Sequence, residues 1–219
     1  MEAAGCSYQF RIALLGDAGV GKTSLLRCYV AGARGAAEPD PEPTVGVEFY
    51  SRALQLPAGL RVKLQLWDTA GQECFRCGEK CITRSFYRNM VGVLLVFDVT
   101  NRESFEHIQA WHQEVVSTQG PDKVVFLLVG HKCDLNTRCV SSQEAEELAA
   151  SLGMGFMETS AKSNCNVDLA FDTVTSAIEQ ALQQGDIKLD KDWAGVRLLH
   201  RSPNPRSSSR KQDSGTCQC

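Results

Sequence analysis

The residues with the clearest chemical meaning form an eight-residue run near the N-terminus. Residues 16–23 read Gly-Asp-Ala-Gly-Val-Gly-Lys-Thr and fit the pattern Gly-x4-Gly-Lys-Ser/Thr, in which backbone N–H groups surround the phosphates of a nucleotide. We expect Lys22 to reach the terminal phosphates and the Thr23 hydroxyl group to hold a magnesium ion. The alternative is a turn that binds nothing. It is disfavoured because a strand pattern precedes the run and a helical pattern follows it, which is the geometry that binds phosphate at a helix N-terminus.

A second polar run follows a predicted strand at residues 61–67. Residues 68–72 read Asp-Thr-Ala-Gly-Gln. We expect Asp68 to hold magnesium through water, the N–H group of Gly71 to meet a terminal phosphate, and Gln72 to orient an attacking water. Asp-x-x-Gly alone is typical of an ordinary turn. Its position one strand after a phosphate-binding loop indicates a site of nucleotide hydrolysis instead.

The elements that must position these runs alternate between strand and helix patterns. Residues 91–99 and 124–129 are near-continuous apolar runs, which indicate parallel strands buried on both faces. Residues 47–55 and 61–67 alternate apolar and polar side chains across a Pro-Ala-Gly turn, which predicts a hairpin. The sequence therefore predicts an α/β fold with a mixed, mostly parallel six-stranded sheet and helices on both faces. The other predicted elements are strands at 10–15 and 154–158 and helices at 23–31, 103–119, 142–151 and 167–183.

Composition and charge argue against several classes of function. The 219-residue chain has a formal net charge of -3 and a pI near 5.8, so nucleic acid is not expected as its main partner. No apolar stretch reaches the length of a membrane span, and residues 1–8 lack the apolar run of a signal peptide, so we expect a cytosolic protein. Ten cysteines then favour free thiols, metal ligands or modified residues over disulfides.

Three further motifs resemble the Rab branch of the Ras-like small GTPases. Residues 43–49, Pro-Thr-Val-Gly-Val-Glu-Phe, look like the Rab form of the first switch segment, and residues 85–89 and 97–100 are also similar to Rab sequences. Within the branch the chain resembles the subgroup numbered thirty-nine and forty-two. The resemblance implies a P-loop small-GTPase fold that binds GTP or GDP with Mg²⁺ and hydrolyses GTP slowly. Two switch segments would recruit effectors in vesicle trafficking, and Thr44 would contact magnesium only in the GTP state.

Two loops at the ends of predicted strands match the family's base-recognition motifs. In residues 131–134, His-Lys-Cys-Asp, the two acceptor oxygens of Asp134 suit the N1–H and amine of guanine, a donor pair that adenine lacks. The backbone of residues 159–162 would meet the guanine O6. The resemblance implies that Phe49, Trp67 and Phe86 face effectors and that Thr23, Thr44 and Asp68 bind magnesium. The implied nucleotide-contacting positions are Gly16, Ala18, Gly19, Val20, Gly21, Lys22, Thr23, Ser24, Thr44, Asp68, Gly71, His131, Lys132, Asp134, Ser160, Ala161 and Lys162.

The chain departs from the family pattern in three places. His131 replaces the usual Asn, and an imidazole can replace part of the amide's tethering of the phosphate loop. Residues 31–43, a Gly- and Pro-rich loop, lack the usual aromatic residue beside guanine, and Tyr29 or Arg34 is the alternative. Residues 77–80 look like an insertion in the second switch. There Cys74, Cys77 and Cys81 raise a metal site as an alternative, but no fourth ligand lies nearby, so free thiols or a faulty gene model are favoured.

The end of the chain resembles a lipid-attachment signal. Cys217 and Cys219 flank Gln218, as in the double geranylgeranylation signal of Rabs, and two prenyl groups anchor a protein stably. The expected organisation is a flexible N-terminus at 1–7, a GTPase domain at 8–184 and a disordered tail at 185–219. The expected partners are an exchange factor, a GTPase-activating protein, a Rab escort protein with prenyl transferase, a GDP-dissociation inhibitor and effectors, at the cytosolic face of intracellular membranes with a cytosolic pool. A merely soluble tail is the alternative.

Two other functions remain open at this point. The first is a nucleotide-binding adaptor with little hydrolysis, its second switch altered by the extra residues 77–80. The second is an ATP-using P-loop kinase, which Asp134 and the lack of an acceptor-binding domain disfavour. Single-turnover hydrolysis with and without Gln72 separates the GTPase from the adaptor.

Overall fold

The computed structural model describes residues 7–32, 44, 47–56, 59–69, 89–120, 123–188 and 195–199. Within these residues the chain alternates between strands and helices, as the hydrophobic patterns predict. The strands are β1 (Tyr8–Leu15), β2 (Val47–Gln55), β3 (Arg61–Thr69), β4 (Gly92–Asp98), β5 (Val125–His131), β6 (Gly155–Thr159) and β7 (Val196–Leu198). The helices are α1 (Lys22–Ala31), α2 (Arg102–Glu106), α3 (Ile108–Gln119), α4 (Ser142–Ser151) and α5 (Val167–Gln184).

Six of the strands form one sheet in the order β2-β3-β1-β4-β5-β6. All neighbours in this order are parallel except β2 and β3, which form the predicted antiparallel hairpin. Parallel strands place their carboxyl ends at one edge of the sheet, where α/β proteins bind ligands. The polar runs that follow β1, β3, β5 and β6 are therefore brought together at that edge.

Helices cover both faces of the sheet and create two apolar cores. The first core packs α1 and α5 against alternate residues of β1, such as Phe10 and Ile12. The second packs α2, α3 and α4 against the opposite face, which carries Ala13 and Leu15. All seven residues of β4 are buried, because this central strand is covered on both sides. Burial on both faces explains its continuous apolar sequence.

The helix predicted over residues 103–119 is two helices that meet at His107. The backbone N–H of His107 donates to the carbonyl of Glu103 (3.1 Å), and that of Trp111 donates to the carbonyl of His107 (3.1 Å). The helical path therefore continues through the junction, but it tightens there, because the N–H of Ala110 also bonds to the His107 carbonyl (3.0 Å).

A seventh strand corrects two predictions, the six-stranded sheet and the absence of regular structure after residue 185. Strand β7 pairs antiparallel with the start of β1. β4 pairs with β1 only from Ile12 onwards, so the edge of β1 before that point needs other hydrogen-bond partners. The N–H of Arg11 donates to Gly195 (3.0 Å) and that of Leu199 to Ser7 (2.9 Å). A three-residue strand is too short to produce a recognisable hydrophobic period.

Candidate functional site

The turn between β1 and α1 is a tight backbone loop in which two glycines are fixed by their surroundings. Gly16 has φ of 143°, and a Cβ there would lie 2.0 Å from the carbonyl oxygen of Val96. Gly21 has φ of 96°, and a Cβ there would lie 2.5 Å from Cδ2 of His131. At Gly19 an added Cβ would meet no described atom within 4 Å. The loop is thus packed against Val96 and His131 on one side. Its other side, at Gly19, is open next to the N–H groups at the start of α1.

Lys22 is the buried cation of this loop. Its side chain is 5% exposed, and its Nζ donates to the carbonyls of Gly16 (2.8 Å) and Asp17 (2.7 Å). Burial lowers the pKa of Lys22 to about 8, although Asp68 and Asp17 oppose that shift. An ammonium group has three donors, so one remains for an anion above the loop. A bound phosphate would favour the charged form of this side chain.

The three predicted magnesium ligands lie together. The hydroxyl of Thr23 donates to Oδ2 of Asp68 (2.6 Å) and lies 2.9 Å from the hydroxyl of Thr44. Asp68 is fully buried, and burial raises its pKa, opposed by the Thr23 hydrogen bond and by Lys22. Its other oxygen, Oδ1, is buried without a hydrogen-bond partner among the described residues. A buried carboxylate oxygen without a partner is costly, so this donor set fits a hard cation such as Mg²⁺.

This donor set also explains why no acidic cluster marks the metal site. Among the described residues, no group of three or more His, Cys, Asp or Glu side chains could hold a metal ion. The Thr23, Thr44 and Asp68 set has one carboxylate and two hydroxyl groups. Mg²⁺ commonly takes one or two protein carboxylates and completes its shell with water and substrate phosphates.

His131 ends β5 and lies directly under the phosphate loop. Its ring is 3% exposed, and its Nδ1 forms a hydrogen bond with the hydroxyl of Thr159 (2.8 Å). Burial lowers the pKa of His131 to about 4, and the charge of Lys132 acts in the same direction. The ring is therefore neutral at physiological pH. The ring packs against Gly21, because a Cβ there would lie 2.5 Å from its Cδ2.

The two predicted base-recognition loops are joined by hydrogen bonds. The hydroxyl of Ser160 donates to Oδ1 of Asp134 (2.6 Å) and accepts from the N–H of Ser163 (3.1 Å). The N–H of Cys133 donates to the carbonyl of Thr159 (3.1 Å). Asp134 is exposed, and Ser160 orients its carboxylate through Oδ1. Ala161 and Lys162 follow in the same loop, Ala161 buried and Lys162 exposed.

Lys132 connects the base loop to the phosphate loop, and its partner Asp98 was not predicted. The Nζ of Lys132 donates to the carbonyl of Gly19 (2.7 Å) and pairs with Oδ2 of Asp98 (2.7 Å). Asp98 ends β4 beside His131, with which it is paired in the sheet. Its position at the carboxyl end of a parallel strand was the signal that sequence reasoning overlooked. Sequence reasoning also missed the hydrogen bonds of His107 and Trp111 to the carboxylate of Asp17.

Two aromatic residues predicted to face effectors form a pair on β2 and β3. Phe49 is 51% exposed, and its ring meets that of Trp67 edge-on at 5.6 Å between centroids. The guanidinium group of Arg11 lies over the Trp67 ring at 4.5 Å. The Phe49 ring is therefore part of the protein surface and not of either core. Trp67 is half-buried and contributes one face of an accessible aromatic surface.

Tyr29 does not replace the aromatic residue that the guanine edge lacks. It is 1% exposed, and its ring stacks on Phe171 of α5 with centroids 3.9 Å apart. The guanidinium group of Arg52, on β2, lies 4.2 Å from the centroid of the Tyr29 ring. This packing uses the Tyr29 ring in the core between α1 and α5. The other alternative, Arg34, lies outside the described residues.

Several predicted positions also lie outside the described residues. They are Gly71, Gln72, Phe86, Cys217 and Cys219, together with the cysteines at 74, 77 and 81 and the extra residues 77–80. Of the other nucleotide-contacting positions, the loop and helix start of α1 contain Ala18, Val20 and Ser24. Val20 is buried in the first core, Ala18 is exposed and Ser24 is half-buried.

Comparison with known proteins gives consistent relationships. The model of the Ras family matches residues 11–180. The chain is 98% identical to the Ras-related protein Rab-42 of Mus musculus and 77% identical to that of Homo sapiens, in both cases over all of both chains. It is 50% identical to Rab-39A of Homo sapiens over 87% of each chain. No helix within the described part of the chain could span a membrane. With this fold and these relatives, the chain belongs to the Ras family and is a small GTPase of its Rab branch.

Proposed function

We propose that this Rab GTPase binds the phosphates of GTP and GDP with residues 16–24 and holds Mg²⁺ with Thr23, Thr44 and Asp68. The carrying observation is the fully buried Asp68 carboxylate, whose Oδ1 has no described partner. When bound, Mg²⁺ neutralises charge on the β- and γ-phosphates. Lys22 contributes a fixed positive charge, and its tether to Gly16 and Asp17 keeps the ammonium group at the loop. Thr44 is half-buried and lies 2.9 Å from the Thr23 hydroxyl of α1, a position that suits a residue that releases when the γ-phosphate leaves.

The magnesium assignment is tested by the rate of GDP release. Asp68→Asn keeps the shape of the side chain but removes the charge that a cation needs. We expect wild-type protein to release fluorescent GDP slowly with Mg²⁺ and faster after chelation, and Asp68→Asn to release it rapidly in both conditions. The matched control is Asp172→Asn on α5, remote from the loop. If Asp68→Asn keeps the wild-type dependence on Mg²⁺, the assignment is wrong.

Guanine is selected, in this proposal, by Asp134 with support from Lys132, Ser160, Ala161 and Lys162. The hydroxyl of Ser160 holds one oxygen of Asp134 at 2.6 Å, which orients the carboxylate towards the two adjacent donors of guanine. Adenine presents an acceptor at N1, and an acceptor facing a carboxylate leaves both without a partner. His131 contributes by packing its ring against Gly21 of the phosphate loop.

GTP hydrolysis is assigned to Gln72, with the N–H group of Gly71 at the γ-phosphate. Gln72 follows Asp68 by four residues, and Asp68 lies at the end of β3 beside the phosphate loop. The side-chain oxygen of a glutamine can accept a hydrogen bond from water while its NH2 group donates one to a phosphate oxygen, which orients the water in line. Gln72→Leu should therefore slow single-turnover hydrolysis and leave GTP binding intact. Gln143→Leu on exposed α4 is the control, and equal rates for Gln72→Leu and wild type would refute the assignment.

The output of the switch is recruitment of effectors at Phe49, Trp67 and Phe86. Rab membership implies an exchange factor, a GTPase-activating protein, a GDP-dissociation inhibitor and effectors as partners. The exposed Phe49 ring against Trp67 supports an apolar contact, and aromatic anchors dominate many interfaces. Arg11 beside Trp67 adds a positive charge, which favours effectors with an acidic group next to their apolar anchor.

The tail, in this proposal, carries prenyl groups on Cys217 and Cys219 that a prenyl transferase adds with a Rab escort protein. The organisation is then a short N-terminal segment at 1–7, a GTPase domain at 8–184 and a tail from 185 that contains strand β7 (Val196–Leu198). The prenylated form lies at the cytosolic face of intracellular membranes and exchanges with a cytosolic pool. Imaging tagged full-length protein against the Cys217→Ser/Cys219→Ser variant tests this. A variant that still localises to membranes contradicts it.

A further inference from the structure

The side chain of Asp17, the second residue of the phosphate loop, is held by hydrogen bonds to two other side chains. They belong to Trp111 of α3 and to His107, the residue immediately before α3. Nδ1 of His107 lies 2.6 Å from Oδ2 of Asp17, and Nε1 of Trp111 donates to Oδ1 at 2.9 Å. Both carboxylate oxygens are therefore engaged. We call this set of three side chains the Asp17 clamp. His107 and Trp111 lie outside both the phosphate loop and the base-recognition loops, and the clamp joins them to the Asp17 carboxylate.

The local helix geometry explains why two donors reach one carboxylate. His107 and Trp111 are four residues apart, so they lie on the same face of the helix. His107 lies at the junction of α2 and α3, and its carbonyl accepts the N–H of Trp111 at 3.1 Å. Trp111 is 3% exposed within the second core, which fixes the direction of its indole N–H. Trp111 is therefore the buried, fixed side of the clamp, whereas the side chain of His107 is 38% exposed.

The backbone of Asp17 connects the clamp to the phosphate-binding lysine. The carbonyl of Asp17 accepts a hydrogen bond from Nζ of Lys22 at 2.7 Å. The preceding Gly16 is pressed against Val96, because even a Cβ at Gly16 would approach the Val96 carbonyl to 2.0 Å. Gly16 is fixed by β4 and Asp17 by α3, so two elements of the fold set the direction of the carbonyls that hold Lys22.

We propose that His107 and Trp111 are positioning residues that, through Asp17, hold the phosphate loop in its nucleotide-binding conformation and slow nucleotide release. A loop that is already ordered loses less conformational freedom on binding. Without the clamp, the Asp17 carbonyl can turn and Lys22 loses a fixed partner. This inference rests on the proposed role of the loop and Lys22 in binding phosphate. It also gives α3 direct control over how long the nucleotide stays bound.

The simpler explanation is that the clamp only stabilises the folded protein. Trp111 belongs to the second core, so its substitution lowers stability whatever its role at the loop. The two explanations differ in whether the effects of Trp111 and Asp17 substitutions on nucleotide release depend on each other. If Trp111 acts through Asp17, removing the indole N–H has no further effect on nucleotide release once the Asp17 carboxylate is gone. If it acts only on stability, the two effects on release are small and independent.

The test measures fluorescent GDP release and the thermal midpoint of the same GDP-loaded proteins in Mg²⁺. We expect Asp17→Ala to release GDP about tenfold faster than wild type, because its two lost hydrogen bonds act on the nucleotide only through the loop, so that part of their free energy is lost from binding. Trp111→Phe and His107→Ala should each speed release about three- to fivefold, because each removes one of these two bonds. The double variant Asp17→Ala/Trp111→Phe should release GDP no faster than Asp17→Ala alone.

Two further variants keep the test decisive. His107→Asn retains a donor near the position of Nδ1 and should restore slow release relative to His107→Ala. His112→Ala on the same helix, whose ring packs on Phe126, should leave release unchanged. Unaltered release in Asp17→Ala, or additive effects in the double variant, would overturn the inference. Lys22→Ala tests the underlying assignment separately: if it does not weaken GDP binding, the proposed phosphate site itself fails.

Discussion

The buried imidazole of His131 predicts a loss of stability as the pH falls from about 8 to about 5.5. Burial lowers its pKa to about 4 from the ordinary 6.5, so the folded protein keeps the ring neutral while the unfolded chain takes up a proton. Stability is therefore full above the unfolded pKa and declines as the pH falls towards the folded pKa. Linkage with these two values gives a loss of about 1.4 kcal/mol at pH 5.5.

Urea unfolding of the GDP-loaded protein across this pH range measures the effect. His131→Asn has no titrating ring, and its free energy of unfolding should lose about 1.4 kcal/mol less than that of wild type between the two pH values. His112→Asn is the matched control, because its half-buried ring lies against Phe126, away from the loop. It should keep most of the wild-type dependence. The reasoning is refuted if His131→Asn and wild type lose equal stability on acidification.

Three other predictions follow from the loop, the sheet edge and the second switch. GDP should leave this protein faster than a Rab with Asn at the position of His131 and an aromatic residue beside guanine; equal or slower fluorescent GDP release would contradict this. Val196→Asp places a charge at a 3% exposed position of β7. It should lower the free energy of unfolding by about 1–3 kcal/mol and speed amide exchange at Tyr8–Phe10, whereas exposed Arg197→Ser should do neither. Deletion of residues 77–80 should preserve nucleotide binding but change activator-stimulated hydrolysis and effector capture. If neither changes, those residues are bystanders.

Most of the fold was predictable because its signals are local. The continuous apolar sequence of β4 and the alternation in β2 and β3 each reflect how many faces of the strand are covered. The amphipathic period of α5 likewise predicted its bounds to within one residue, since the structure extends it only to Gln184. Strand β7 was missed because three residues carry no period. Its existence depends on an unpaired stretch of β1 almost 190 residues earlier, which is a tertiary effect.

In the candidate site, the arrangement of residues could be predicted where a motif fixes both residue type and spacing. The positions of this kind include two glycines, Gly16 and Gly21, where a Cβ would clash. They also include Lys22 and Asp134, where the motif requires a particular charged side chain. The Asp17 clamp and the pairing of Asp98 with Lys132 were not predictable, since the partners lie on separate elements with no shared motif. The burial of the Tyr29 ring in the core could not be predicted from the sequence either. An aromatic residue near a binding loop has the same sequence appearance whether it faces the ligand or the core.

The central claim, a guanine-specific nucleotide switch, is tested most directly by calorimetry of nucleotide-free protein with GDP, IDP and ADP. IDP differs from GDP only by the exocyclic amine, which removes one charge-assisted hydrogen bond to Asp134. Wild-type protein should bind GDP about 10- to 150-fold more tightly than IDP, which corresponds to about 1.5–3 kcal/mol, and ADP more weakly still. Asp134→Ala should bind GDP and IDP equally. Comparable affinities of wild-type protein for GDP and ADP would contradict the account.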